Sequence, residues 1–309
     1  MALSPELFKR LSRLNRELVR KGLAAESSTG ALAPGPASVG PGDAAARLET
    51  VIPGEPREAA GGRFYLVRRR AEDFAPSQAA DGGDAPPAAR DLLDLYRRVF
   101  FGAGRAMAPD DLHESLRPLV LADPAAVAYL DIETCGLAGE PLFLVGLMRY
   151  RQDTLLIEQF LARDYSEERA VLAAAWEVLA ETGCLVTFNG KTFDLPTVAA
   201  RSLACGLFDA PAVPQHVDLL FEARRRWKGV LPNCRLQTIE QLICGRRRAG
   251  DIPGGEIPSA YHEFVRSQQA DDPVRRVRSL RCLQTILHHN ALDLLTMADL
   301  VACMLSGQE

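Results

Sequence analysis

Between residues 127 and 161 the apolar positions gather into three short runs, and the first of them sets the frame. V-A-Y-L-D-I-E-T over 127–134 places Val127, Ala128, Tyr129, Leu130 and Ile132 in a run that suits a strand buried on both faces. L-F-L-V-G-L-M-R-Y within 141–150 and L-L-I-E-Q-F-L within 154–161 repeat the pattern, separated by short polar turns. Connections that short predict an antiparallel meander. Residues 166–182 change period. Val171, Leu172, Ala175 and Leu179 share a helical face, with Ser166 as candidate N-cap and Glu167 and Glu168 in the first turn. C-L-V-T-F-N over 184–189 returns to a strand pattern after that helix and is expected to run parallel to the first strand. Helices are expected over 193–207 and 294–304, the latter from Leu294, Leu295, Leu300, Val301 and Met304. The prediction is an α/β domain: a mixed sheet of three antiparallel strands, then parallel pairing after a crossover, flanked by helices.

Upstream, the pattern is less regular. Residues 5–24 place Leu7, Leu11, Leu14, Leu18 and Val19 at helical spacing among Lys and Arg, which reads as a basic amphipathic helix. Residues 26–45 are rich in Ala, Gly, Pro and Ser and read as a flexible linker, and 78–89 are similarly poor in large apolar residues. One or two strands are expected within 48–70, most clearly at 63–68, and a helix over 91–101. These segments divide the chain into an N-terminal extension, 1–90, partly disordered, and a compact domain, 91–309, with its core over about 123–305.

Composition narrows the class. No apolar run approaches the roughly 18–20 residues of a membrane span, and residues 1–22 lack a signal core. Seven cysteines are scattered without a C-x-x-C, which points to reduced thiols in a cytoplasmic setting and away from a disulfide frame or zinc site. The net charge is −4, so nucleic-acid binding would have to rest on local basic clusters.

Polar residues inside the apolar runs are the candidate chemistry. Asp131 and Glu133 stand at i, i+2 on the first strand, which puts both carboxylates on one face. Two adjacent buried like charges are costly unless cations neutralise them, and oxygen ligands suit a hard divalent ion. The plainer alternative is a strand end fraying into solvent. T-F-N-G-K-T-F-D-L-P over 187–196 turns out of the fourth strand and places Asp194 near a helix start, as metal ligand or as cap. Ligands collect at the carboxyl ends of strands in such sheets. H-H-N-A-L-D over 288–293 offers His289 and Asp293 at i, i+4, on one helical face. His288 is turned away if the helix already exists there.

Taken together, D-x-E, N-x-x-x-F-D and a histidine shortly before a final Asp resemble the DEDD superfamily of 3′→5′ exonucleases, on the ribonuclease-H-like fold. A closer resemblance is to its YprB-like branch. It rests on L-D-I-E-T, T-F-N-G-K-T-F-D-L-P, H-V-D-L-L, R-R-W-K, C-R-L-Q-T-I-E, D-I-P-G-G-E-I-P and H-N-A-L-D. The resemblance implies a ribonuclease-H-like sheet in which Asp131, Glu133, Asp194 and Asp293 hold two Mg²⁺ or Mn²⁺ ions. It implies phosphodiester hydrolysis in DNA or RNA, at a single-stranded 3′ end, with a histidine orienting or deprotonating the attacking water. His289 has the spacing of the family's tyrosine branch and is preferred by helical phase and the H-N-x-x-D resemblance together, while His288 has the spacing of the histidine branch. Asp218 is a second-tier acid, and His216 beside it reads as structural.

Substrate contacts are expected from Asn189, Lys191 and Phe193 in the second motif, and from Arg224, Arg225 and Trp227 in the R-R-R-W-K run. Arg246 to Arg248 and Arg275, Arg276, Arg278 and Arg281 form further basic clusters, and Trp227 or Tyr261 would stack a base. Charge runs are more often solvated faces. The alternatives are a structure-specific endonuclease on the same fold and a nucleic-acid-binding or scaffold protein with little turnover.

Overall fold

The computed structural model describes residues 47–74, 92–102, 110, 112–136, 139–246, 248 and 250–306. The basic helix expected over 5–24, the linker over 26–45 and the segment 78–89 lie outside these residues. Seven strands form one sheet: β1 (Glu55–Ala59), β2 (Gly62–Arg70), β3 (Val127–Thr134), β4 (Leu142–Arg151), β5 (Thr154–Leu161), β6 (Cys184–Thr187) and β7 (Gln215–Asp218). Their spatial order is β1-β2-β5-β4-β3-β6-β7. β3, β4 and β5 form the antiparallel meander, and β6 lies parallel to β3 with β7 parallel to β6.

The boundary expected near residue 90 does not separate the sheet. β1 and β2 form a hairpin, and β2 pairs antiparallel with β5 from Tyr65–Leu161 to Arg70–Leu156. Phe64, Tyr65, Leu66 and Val67 are buried by this pairing, so the hairpin is part of the same core.

Helices close both faces. In chain order they are α1 (Leu48–Val51), α2 (Leu92–Phe101), α3 (Arg117–Leu121), α4 (Glu168–Ala180), α5 (Asp194–Ala204), α6 (Leu219–Trp227), α7 (Leu236–Ile239), α8 (Ile257–Gln268) and α9 (Pro273–Leu305). Ser166 is not the cap of α4. Asp164 accepts from the Ser166 amide (2.8 Å) at a preceding 3-10 turn, and α4 starts at Glu168. The helix expected over 294–304 is the end of α9, which runs for 33 residues from an Asp272 cap that accepts from the Arg275 amide.

Strand alternation divides the core. Val127 and Tyr129, with Met148 and Ile157, pack against Leu294, Met297 and Val301 of α9 and Tyr96 and Phe100 of α2. The alternate residues Ala128, Leu130 and Ile132 join Val171, Leu172 and Ala175 of α4 in a second core. Among the described residues no helix is long and apolar enough to cross a membrane.

α9 crosses the sheet over one row of residues. Asp131 on β3 pairs with Gly146 on β4, which pairs with Gln159 on β5. Asn290, fully buried on α9, sits on that row. Its Nδ2 donates to the Asp131 carbonyl (3.2 Å) and to Asp131 Oδ2 (2.8 Å). Its Oδ1 accepts from Gln159 Nε2 (2.9 Å), which also donates to the Leu287 carbonyl (2.7 Å). A Cβ at position 146 would lie 2.1 Å from Asn290 Oδ1. Only glycine allows this approach, and the buried amides are satisfied because the approach is close. Gly146→Ala is therefore expected to destabilise by about 1–3 kcal/mol, the usual cost of overpacking. Gly254→Ala, with nothing within 4 Å of the added Cβ, should stay within about 0.5 kcal/mol of wild type. Chemical denaturation of both variants checks this, and equal midpoints would contradict the close crossing.

Candidate active site

Parallel pairing brings the ends of β3 and β6 to one edge, and the acidic motifs follow from it. Asp131 and Glu133 occupy alternate positions of β3, and the β3–β4 register shifts just after Glu133. Beyond β6 the chain turns sharply. Asn189 adopts φ +70°, in the left-handed region that asparagine tolerates, and its Oδ1 accepts from Thr192 Oγ1 (2.6 Å). The turn is pinned by Asp218, which accepts from the amides of Asn189 (2.8 Å), Lys191 (3.0 Å) and Leu220 (3.1 Å). Asp218 thus shapes the wall of the site, while His216 binds Thr187 Oγ1 (2.8 Å) within the sheet. Asp194 is the first residue of α5, buried, and no side chain caps that helix.

These acids raise one another's pKa. Burial, then the charges of Asp293, Glu133 and Asp194, push Asp131 well above the usual carboxylate range against the Asn290 hydrogen bond. Burial also lifts Glu133 to about 8, with His289 opposing and Asp293 and Asp194 adding to the rise. Asp194 rises to about 7, by burial first and with Asp218 and Asp293 contributing. Three buried carboxylates raised in this way, each in part by Asp293, favour a bound cation, because a cation restores their charged forms. The donor set is all oxygen from this motif, which suits Mg²⁺ or Mn²⁺ and not a soft metal. Among the described residues no three His, Cys, Asp or Glu side chains already converge as ligands on one point. Asp131 is held by Asn290, and Asp293 is paired with an arginine.

The opposite wall comes from α9. His289 is buried, its Nδ1 lies 2.7 Å from Asp251 Oδ1 and its Nε2 lies 3.4 Å from Asp293 Oδ2. Burial lowers the imidazole pKa, but the Asp251 hydrogen bond and the charges of Asp293 and Glu133 raise it overall. Asp251 is correspondingly lowered: burial works against ionisation, and the bonds from His289 and Arg248 outweigh it. His288 points elsewhere, its ring stacked on Phe74 with centroids 5.6 Å apart.

The sequence offers Arg248 only within a basic cluster and Asp251 only within the D-I-P-G-G-E-I-P motif, with nothing to tie either to the acids of α9. Arg248 pairs with Asp293, Glu240 and Asp251 and is 8% exposed. Burial disfavours its charge, yet Asp293 and Glu240 hold it ionised. Both residues lie in visible motifs, the R-R-R run and D-I-P-G-G-E-I-P. Their partners are 38 and 45 residues away on α9, a distance no local pattern spans.

The expected substrate contacts divide. Trp227 is 7% exposed within the core, and Tyr261 is fully buried against Phe143 with its hydroxyl donating to the Ala162 carbonyl (2.9 Å). Neither ring is open to stack a base. The apolar phase of α6 and α8 turned both inward, which the basic run around Trp227 concealed. Arg225 is bound to Glu222, Arg246 to Asp299 and Arg275 to Glu263, and Arg247 lies outside the described residues. Lys191 reaches over the Phe221 ring (5.5 Å), and Phe193 is partly exposed beside Asp194. Asn189 and Arg224 line a groove of about 720 Å³ beside the turn into Asp194.

Comparison with known proteins agrees with this architecture. The sequence model of the RNase H superfamily matches residues 128–305, from the first acidic strand through the end of α9. The uncharacterized protein YprB of Bacillus subtilis (strain 168) is 35% identical over 178 residues, which is 56% of this chain and 40% of that protein. The matched part thus spans less than half the length of that relative. With most of the chain covered by the family, and the acids carried on the matched segment, the protein belongs to the RNase H superfamily and is YprB-like.

Proposed function

We propose that this chain is a divalent-metal-dependent nuclease, acting as a 3′→5′ exonuclease on DNA or RNA at a single-stranded end. The observation that carries the reading is that Asp131, Glu133 and Asp194 are buried acids each raised in part by the charge of Asp293, which itself lies 3.4 Å from the buried His289. Two Mg²⁺ or Mn²⁺ ions held by those carboxylates would stabilise the charge on the attacking and leaving oxygens of the scissile phosphate. Asn290 orients Asp131 from behind through its Nδ2 bond. Asp251, a carboxylate, accepts from His289 Nδ1–H, which fixes the ring and directs Nε2 toward Asp293 and the reaction space. His289 then takes a proton from the attacking water at Nε2. Arg248 keeps Asp293 in place beside it.

Asp131→Asn is expected to abolish Mg²⁺- or Mn²⁺-dependent hydrolysis of end-labelled oligonucleotides while the unfolding midpoint stays close to wild type. Near-wild-type turnover in that variant would contradict the reading. A circular single strand should stay intact while its linear form shortens from the 3′ end, and cutting of the circle would favour an endonuclease. Binding without any metal-dependent hydrolysis would favour a scaffold.

The two histidines are separable by kinetics. His289→Ala should lower kcat roughly 10²–10⁴-fold, as expected for loss of a proton-transfer group. His288→Ala, which removes a ring stacked on Phe74, should leave kcat close to wild type. The reverse order of losses would overturn the assignment.

A further inference from the structure

Several of the described basic residues are neutralised by carboxylates, and three that are not share one groove. Arg225, Arg246, Arg248 and Arg275 are each held in an ion pair. The ion pairs among the described residues include none of Arg224, Lys228 and Arg235, and all three of these line the groove of about 720 Å³. In a chain of net charge −4, three cations outside those ion pairs within one concavity give that concavity a local positive charge.

The groove is a built feature. Leu220, Arg224 and Lys228 recur at four-residue spacing along α6 and its C-cap, so they present one continuous wall. At Gly229, φ +85°, the chain reverses, and Lys228 bridges to Leu231. Asn233 then fixes the facing wall, its Oδ1 accepting from the Arg235 amide (2.9 Å) and Thr238 Oγ1 (2.8 Å). Phe188 and Leu220 supply apolar and aromatic surface between the cations. Asn189, in the Asp218-pinned turn that leads to Asp194, lines the same groove. The volume falls within the roughly 300–1,000 Å³ of small-ligand sites, which suits a nucleotide or two of one strand and not a duplex.

We infer that this groove, between α6 and the loop 229–235, is the track that guides a single nucleic-acid strand into the acidic centre. Arg224, Lys228 and Arg235 contact successive backbone phosphates, and the Phe188 wall receives a base. The inference rests on the nuclease reading of the acidic centre and names how that centre is supplied. The shared chemistry is a single-stranded sugar–phosphate backbone, of either sugar.

The test is fluorescence anisotropy with one 3′-labelled single-stranded sequence, as DNA and as RNA, titrated across a range of salt. The full chain carries Asp131→Asn so that the probe survives. Adding Arg224→Gln, Lys228→Gln and Arg235→Gln should weaken binding about 10–100-fold at 0.1 M salt. The same change should flatten the log–log salt slope by about 2, near 0.7 per lost phosphate contact. A control with Arg57→Gln, Arg63→Gln and Arg275→Gln removes the same formal charge from arginines paired with Glu55, Glu58 and Glu263, and should bind like its parent. A loss on DNA, RNA or both supports the track and identifies the sugar it accepts. Equal losses in the two triple variants, or an unchanged slope in the groove variant, overturn it. Wild-type hydrolysis of the same oligonucleotides runs in parallel. Active wild type with an unaffected groove variant discards the track alone, whereas no binding and no hydrolysis discards the nuclease reading as well.

Discussion

The seat of Asn290 on the sheet is the contact on which the site depends. One buried amide joins α9 to the row Asp131–Gly146–Gln159 across three strands, and the missing side chain at Gly146 is what lets it reach. That contact fixes the height of α9 above β3. His289 and Asp293 lie one position before and three after Asn290, so the same contact sets both against the β3 acids. A buried amide satisfied at both ends is an exacting joint, since loss of either partner leaves an unpaired polar group costing about 1–3 kcal/mol. The acidic edge therefore sits on a rigid crossing, not on loops.

Around that joint the chain accepts an electrostatic cost. Asp131, Glu133 and Asp194 are each displaced upward by burial and by one another. A fold selected only for stability would replace such residues, because packed apolar side chains are cheaper than buried like charges. Arg248 offsets part of the repulsion at Asp293, and Asp251 offsets part of it at His289. The three β3 and α5 acids have no comparable cationic partner among the described residues, which is why the centre is suited to a positively charged ligand.

Much of this was legible in the sequence, for identifiable reasons. β3, β4, β5 and β6 announced themselves because buried strands need continuous apolar runs, and acids within such a run have few structural uses. Helical phase and the H-N-x-x-D resemblance together favoured His289 over His288. What failed to show was long-range. The β1–β2 hairpin looked like part of an extension because half of Gly62–Arg70 is basic or polar, and only pairing with β5 shows that it closes the sheet. Trp227 looked available because three arginines precede it, yet the apolar face of α6 turns it inward. Arg248 and Asp251 read as a solvated charge run and a loop motif. Their role depends on α9 passing beside them, and that is a property of the fold rather than of the local sequence.

In the proposed function, Asp131, Glu133, Asp194 and Asp293 together bind the cation. A crystal structure of the full chain grown with Mn²⁺, examined by anomalous scattering at the manganese edge, addresses this directly. The account predicts manganese peaks bounded by the carboxylates of Asp131, Glu133, Asp194 and Asp293, lost when Asp131 is replaced by asparagine. Manganese bound only elsewhere on the chain, or peaks at this edge that persist unchanged in that variant, would contradict it.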